Sequence, residues 1–273
     1  MALPEDVLRH YEGGVEAGRL EGGAGAVERD RAREVVLRHA PKPPAVVLDV
    51  GGGPGAHAVW LVERGYEVHL VDAAPLHVEQ ARAALRETKR DGAWSVTLGD
   101  ARALEAASDS ADVVLLFGPL YHLVERSDRV RALTEAHRVL KPGGKLFAAA
   151  ISRFASALDG IARNRVDDPD FLAIVDGDLR NGVHQNPKEV LDYFATAYFH
   201  RPEELRAELV AAGFRVPELV GLEGPAWLLH DIGERWSNDA RRTTLLSLLR
   251  RIESEPELLG MSAHLVAVGQ KSG

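Results

Sequence analysis

Residues 46–75, VVLDVGGGPGAHAVWLVERGYEVHLVDAAP, constrain the fold more than any other stretch of the chain. A continuous apolar run of strand length ends at Val50 and passes directly into Gly51, Gly52, Gly53 and Gly55. A helical stretch follows, and a second apolar run ends on Asp72. Strand, turn, helix and strand within about thirty residues form a βαβ unit, whose two strands must run parallel because the helix carries the chain back to the starting edge. Parallel strands need cover on both faces, and the short, Val- and Leu-rich runs suit that burial.

The same alternation continues through the first half of the chain. The expected elements are strand 46–50, helix 55–64, strand 67–71, helix 75–90, strand 94–98, strand 111–117, helix 127–140 and strand 145–151. Upstream, VERDRAREVVLRHA (27–40) has the spacing of an amphipathic helix, stopped by PKPP. Residues 152–200 break the rhythm with turn formers and aromatics; regularity returns with helix 202–212 and strand 214–220. A second excursion, 221–260, precedes SAHLVAVGQ, a final strand. No linker divides the chain. The expectation is one α/β domain over 1–273, a Rossmann-like doubly wound sheet carrying insertions at 152–200 and 221–260.

Composition narrows the function. The 273 residues are 45% hydrophobic, enough for one substantial core. No apolar run approaches the ~18 residues of a membrane span, and the opening MALPEDVLRHYEGG lacks the apolar core of a signal peptide, so a cytoplasmic protein without membrane contact is expected. The absence of cysteine removes disulfides, thiolate metal sites and a Cys nucleophile. A net charge of -8, with Lys and Arg scattered, argues against a nucleic-acid partner. The local cluster RRTTLLSLLRR (241–251) reads as a surface helix with solvated ends. Nothing in the sequence specifies an oligomeric state.

The glycine turn points to a bound nucleotide. Gly51, Gly53 and Gly55 stand in a G-x-G-x-G pattern before a helix N-terminus, which offers free N–H groups to an anion. The dinucleotide fingerprint places its third glycine one residue later, where this chain has Ala56. Asp72 closes the second strand, where an acid accepts hydrogen bonds from ribose hydroxyls; that suits both NAD and S-adenosylmethionine. Asp100 follows the third strand in VTLGDARAL, where an acid can accept from an adenine amino group while small Ala101 leaves room for the ring.

With these residues in hand, the sequence resembles the class I S-adenosylmethionine-dependent methyltransferases. VVLDVGGGPG, VHLVDAAP, LGDARAL, ADVVLLFGPLYHL and HRVLKPGGKLFAAA match the family's motifs in order and spacing over residues 45–151. EELRAELVAAGFRV resembles the family's helix before the sixth strand. The resemblance implies a sheet of order 3-2-1-4-5-7-6 with the last strand antiparallel. It implies S-adenosylmethionine as cofactor and S-adenosylhomocysteine as product. Asp49 and Gly51 would lie near the methionine end, Gly53 and Gly55 along the turn, Asp72 and Ala73 at the ribose, and Asp100 and Ala101 at the adenine. Phe117 and Gly118 would sit beside the sulfonium. Residues 1–44 correspond to a helical cover from which one arginine reaches the methionine carboxylate; Arg31 is assigned to the cofactor, Tyr11 and Arg19 to the substrate.

The fourth motif narrows the acceptor. Relatives that methylate nucleobase or glutamine amides carry Asn or Asp before Pro-Pro-Tyr there, whereas this chain has FGPLYHL. A small-molecule acceptor is expected, methylated by in-line displacement. His122, after the fourth strand, is the first candidate base, with His184 second. Tyr121, Tyr193, Tyr198, His200 and Trp227 are candidate substrate contacts, most of them in the two insertions, which would cover the substrate. His57 reads as structural, and no metal-ligand pattern is evident. Two alternatives stand: a non-catalytic protein that binds S-adenosylmethionine or S-adenosylhomocysteine, and an NAD(P)-dependent oxidoreductase.

Overall fold

The computed structural model describes residues 7, 9, 18–90, 92–188, 190 and 193–273. The parallel core strands are β1 (Val46–Val50), β2 (Glu67–Asp72), β3 (Trp94–Leu98), β4 (Ala111–Leu116) and β5 (Leu140–Ile151). β8 (Arg215–Gly221) and β9 (His264–Gln270) complete a seven-stranded sheet of order β3-β2-β1-β4-β5-β9-β8, with β9 antiparallel to β5 and β8. This is the sheet order expected from the sequence, and its antiparallel β9 departs from the dinucleotide-binding order 3-2-1-4-5-6. The β5–β9 register pairs Ile151 with His264, so β9 begins at the edge where the parallel strands end.

Alternation along the strands sorts side chains onto two covered faces. Val47, Val113 and Phe147 pack against α1 (Gly23–His39), α2 (Ala56–Glu63) and α3 (Pro75–Glu87). Leu48, Val114 and Leu146 pack instead against α5 (Arg126–Val139) and α8 (Pro202–Ala211). A short α4 (Pro119–His122) links β4 to α5. α1 starts at Gly23, earlier than the apolar spacing suggests. The preceding turn folds back so closely that a Cβ on Gly25 would lie 2.0 Å from the Arg19 carbonyl oxygen, so a glycine inside the first turn is what the contact requires.

The insertion at 152–200 contains α6 (Ala155–Ala162), α7 (Pro169–Asn181) and a two-stranded ribbon of β6 (Val183–His184) and β7 (Ala197–Tyr198). The one at 221–260 contains a 3-10 turn (Gly224–Leu228), α9 (Ile232–Ser237) and α10 (Asp239–Ile252). The second insertion packs on α1: Ala226, Ile232, Trp236 and Leu249 form a cluster with Ala26 and Val27, and the Trp236 indole donates to Asp30 Oδ2 at 3.0 Å. Among the described residues no helix is long and apolar enough to cross a membrane.

Candidate active site

Beyond the ends of β1, β2 and β4 lies a cavity of about 580 Å³ walled on one side by α1. The glycine turn forms its floor. Gly51 has φ +69°, and a Cβ there would fall 2.5 Å from Pro119 Cδ, so both conformation and space demand glycine. Gly53 has φ +56°, and a Cβ on it would meet nothing within 4 Å, which leaves its backbone open to the cavity. Gly55, also left-handed, is the N-cap of α2 and supplies no capping side chain, so the first N–H groups of that helix lack the usual partner.

Asp72 fixes this turn. Its Oδ2 accepts from Gly53 N and its Oδ1 from Ala74 N, both at 2.9 Å, and His77 Nδ1 lies 3.2 Å from Oδ1. Asp100 accepts from Arg102, through the backbone N–H at 2.8 Å and the guanidinium at 2.6 Å. Burial pushes the Asp100 carboxyl up, but the Arg102 hydrogen bonds prevail and hold it below the usual carboxylate range. Asp49 is 1% exposed and its Oδ2 has no hydrogen-bond partner among the described residues. Burial, then the neighbouring Asp72 charge, pushes its pKa up to about 7.

The α1 wall is polar. Arg19 grips both oxygens of Glu28, at 2.5 and 3.0 Å, and Arg33 donates to Ala56 O at 2.8 Å. Arg33 Nε and His57 Nδ1 are buried without partners among the described residues. His57 packs edge-on to Phe117 at 5.1 Å, and burial followed by the Arg33 charge lowers its pKa to about 4, so it is neutral at pH 7. His264 also lines the cavity; its Nδ1 lies 2.6 Å from Glu223 Oε1 and 3.6 Å from Glu28 Oε2.

Partnerless buried polar atoms on three elements around one cavity are hydrogen-bonding capacity kept for a ligand. A family model described as a methyltransferase domain matches residues 47–144, the part of the chain holding the glycine turn, Asp72 and Asp100. That stretch is similar to methyltransferase domains, in line with the resemblance carried by its motifs. An uncharacterized methyltransferase of Mycobacterium tuberculosis is 38% identical over 125 residues, 45% of this chain and 47% of that protein. A ubiquinone biosynthesis O-methyltransferase of Pseudomonas entomophila is 29% identical over 211 residues, 75% of this chain and 78% of the relative. The chain thus spans about half the length of the first curated relatives it matches. Among solved structures, an S-adenosylmethionine-dependent methyltransferase of Methanosarcina mazei shares the fold, with a TM-score of 0.59 at 18% identity over 87% of this chain and 97% of that one.

The cavity brings together many of the sequence-predicted residues. Asp49, Gly51, Gly53, Gly55, Asp72 and Ala73 line it, as do Asp100, Ala101, Phe117 and Gly118. Arg19, Tyr121 and His122 line it too. Tyr11 lies outside the described residues. Other candidates lie elsewhere, each with partners of its own. Arg31 is fully buried, paired with Glu253 and Glu34 and donating to Leu222 O, so it ties α1 to the second insertion. His184 is sealed against Asp178 at 3.0 Å and stacked on Phe199 at 4.8 Å. His200 lies 3.2 Å from Glu208, and Tyr198 packs its ring 3.6 Å below the Arg129 guanidinium. The Tyr193 hydroxyl donates to Asp168, and the Trp227 indole donates to Met261 O.

The residues that sequence reading missed are polar groups from distant segments. His57, read as structural, is at the cavity, with Glu28, Arg33, Arg102 and His264. His264 had a usable signal, since the first residue of an antiparallel last strand falls at the ligand edge of a sheet; Glu28 had none.

Proposed function

We propose that this chain transfers a methyl group from S-adenosylmethionine to a small-molecule acceptor by in-line displacement. One observation carries the reading: Asp72, Asp100 and the open backbone of Gly53 converge on one cavity whose walls hold partnerless buried polar atoms. Asp72 would hold the ribose, Asp100 and Ala101 the adenine, and the Gly51–Gly53 turn the methionine end. Arg19, Arg29 and Arg33 line the α1 side and supply positive charge for the carboxylate. When bound, the cofactor supplies a methyl group on a positively charged sulfur and leaves as S-adenosylhomocysteine. The chain's own task is orientation, worth about 7–11 kcal/mol of a bimolecular barrier. Support for a small acceptor comes from the size of the cavity, the net charge of -8 and a relative named for ubiquinone biosynthesis.

Calorimetric titration tests this, with S-adenosylhomocysteine and separately NADH, on wild type and Asp72→Ala. Binding of the thioether, weakened at least tenfold in the variant by loss of a charge-assisted contact worth about 1.5–3 kcal/mol, is expected. Binding of NADH alone would refute the reading. Tight thioether binding with no turnover on a broad acceptor panel would favour a non-catalytic binder.

A further inference from the structure

His264, Glu223 and Glu28 form a charged group at the end of the cavity away from the adenine-side acid, and the cofactor assignment leaves them without a task. Glu223 is 1% exposed and spends Oε2 on the Ser262 hydroxyl at 2.7 Å and on the His264 backbone N–H at 3.0 Å. Its Oε1 accepts from His264 Nδ1 at 2.6 Å. The imidazole is thereby fixed in orientation and tautomer, and Nε2, which has no partner among the described residues, is left for the cavity that His264 lines. A carboxylate that orients a histidine whose second nitrogen meets a ligand space is a recognisable proton-handling arrangement.

Building on the methyltransferase reading, we propose that His264, oriented by Glu223, binds the acceptor through an acidic hydroxyl, a phenol or enol, and pairs with it as an oxyanion. Where the ring is neutral, the O–H electron pair stays on oxygen and the proton moves to Nε2, from which it later passes to water. The charges around the ring set the acceptor class. Burial disfavours the imidazolium, but Glu28 and Glu223 outweigh burial and the opposing Arg19, and the His264 pKa rises to about 9. A free phenol loses its proton near pH ~10, so proton sharing with this ring is nearly balanced. An aliphatic alcohol is far too weak an acid to share, and a carboxylic acid arrives already ionised. Below the ring's pKa the site captures a preformed anion instead, and both routes end in the same oxyanion–imidazolium pair. His57, which also lines the cavity, has a pKa near 4 and is too weak a base for this task.

The donor atoms of Glu28, Glu223 and His264 lie within 4.8 Å of one another. They are not assigned to a metal: Arg19 occupies both oxygens of Glu28, and Glu223 is committed to Ser262 and His264. The proton on His264 and the Arg19 guanidinium supply the positive charge there.

The test uses the full chain in EDTA, saturated with S-adenosylhomocysteine, and 4-nitrophenol as a chromogenic hydroxyl whose phenolate band reports ionisation directly. Bound nitrophenol is expected to be ionised about tenfold more than free nitrophenol at the same pH, the effect of one opposite charge in contact. His264→Gln and Glu223→Gln should abolish that enhancement while retaining S-adenosylhomocysteine affinity, and His230→Gln, an exposed histidine, should leave it intact. Failure of S-adenosylhomocysteine to bind wild type would overturn the methyltransferase reading and this inference together. Normal thioether binding with nitrophenol unbound, bound without added ionisation, ionised equally in His264→Gln, or ionised only when a divalent cation is added would overturn this inference alone.

Discussion

Asp49→Asn should make the protein more stable, by a margin that grows as pH rises toward and past neutrality. The wild-type carboxyl is buried beside Asp72 without a partner for Oδ2 among the described residues, and its pKa rises from 3.8 to about 7 in the folded protein. Between those values the unfolded chain has released the proton while the folded protein retains it. Native stability therefore falls as pH rises through this window and levels off above about 7. Roughly three pKa units at 1.36 kcal/mol each give a cost of about 4 kcal/mol at pH 8. Asparagine does not titrate and escapes that cost. Urea unfolding of both proteins at pH 5 and pH 8 should show the variant's advantage growing with pH to about 3–4 kcal/mol, a midpoint shift of about 1 M or more. Binding of cationic S-adenosylmethionine by the variant should weaken above pH 7, where wild type presents an additional negative charge; activity and stability are then traded at one atom. A variant-to-wild-type difference equal at pH 5 and pH 8 would refute the reasoning, because it would mean that Asp49 does not titrate in this range.

Two further outcomes follow from packing. Glu208→Gln removes the carboxylate from Arg129, which is 2% exposed and held at 2.7 Å, and should cost about 3–5 kcal/mol in thermal or urea unfolding without changing thioether affinity. Gly51→Ala, with its Cβ driven against Pro119, should lower both the melting temperature and S-adenosylhomocysteine affinity; Gly53→Ala, facing open space, should lose affinity with less loss of stability, and calorimetry beside thermal unfolding separates the pair.

The glycine-turn side of the cavity was legible in the sequence because it is local. Gly51 to Asp72 is one βαβ unit, and backbone conformation, helix start and strand end are all written into adjacent residues. Asp100 follows the next strand by the same logic. The opposite side was not legible because chemistry there depends on partners far along the chain. Arg31, a reasonable anion ligand by position, is consumed by Glu253, and His184 and His200 by Asp178 and Glu208. A histidine among aromatics reads the same whether it faces a cavity or a buried acid. His57 failed in the other direction: the first turn of a helix looked structural, but that helix starts at the cavity, so its first turn is cavity wall.

The placement of β9 bears on how such a molecule can change over time. Glu28 comes from the start of the described chain, and Glu223 and His264 from its end, meeting only once the last strand has slotted between β5 and β8. The glycine turn, Asp72 and Asp100, in contrast, are contained in one uninterrupted stretch. Substitutions at Glu28, Glu223 or His264 can therefore remodel one end of the cavity while the glycine-turn end keeps its geometry. In heredity, if not in space, the two halves of the site are independent parts.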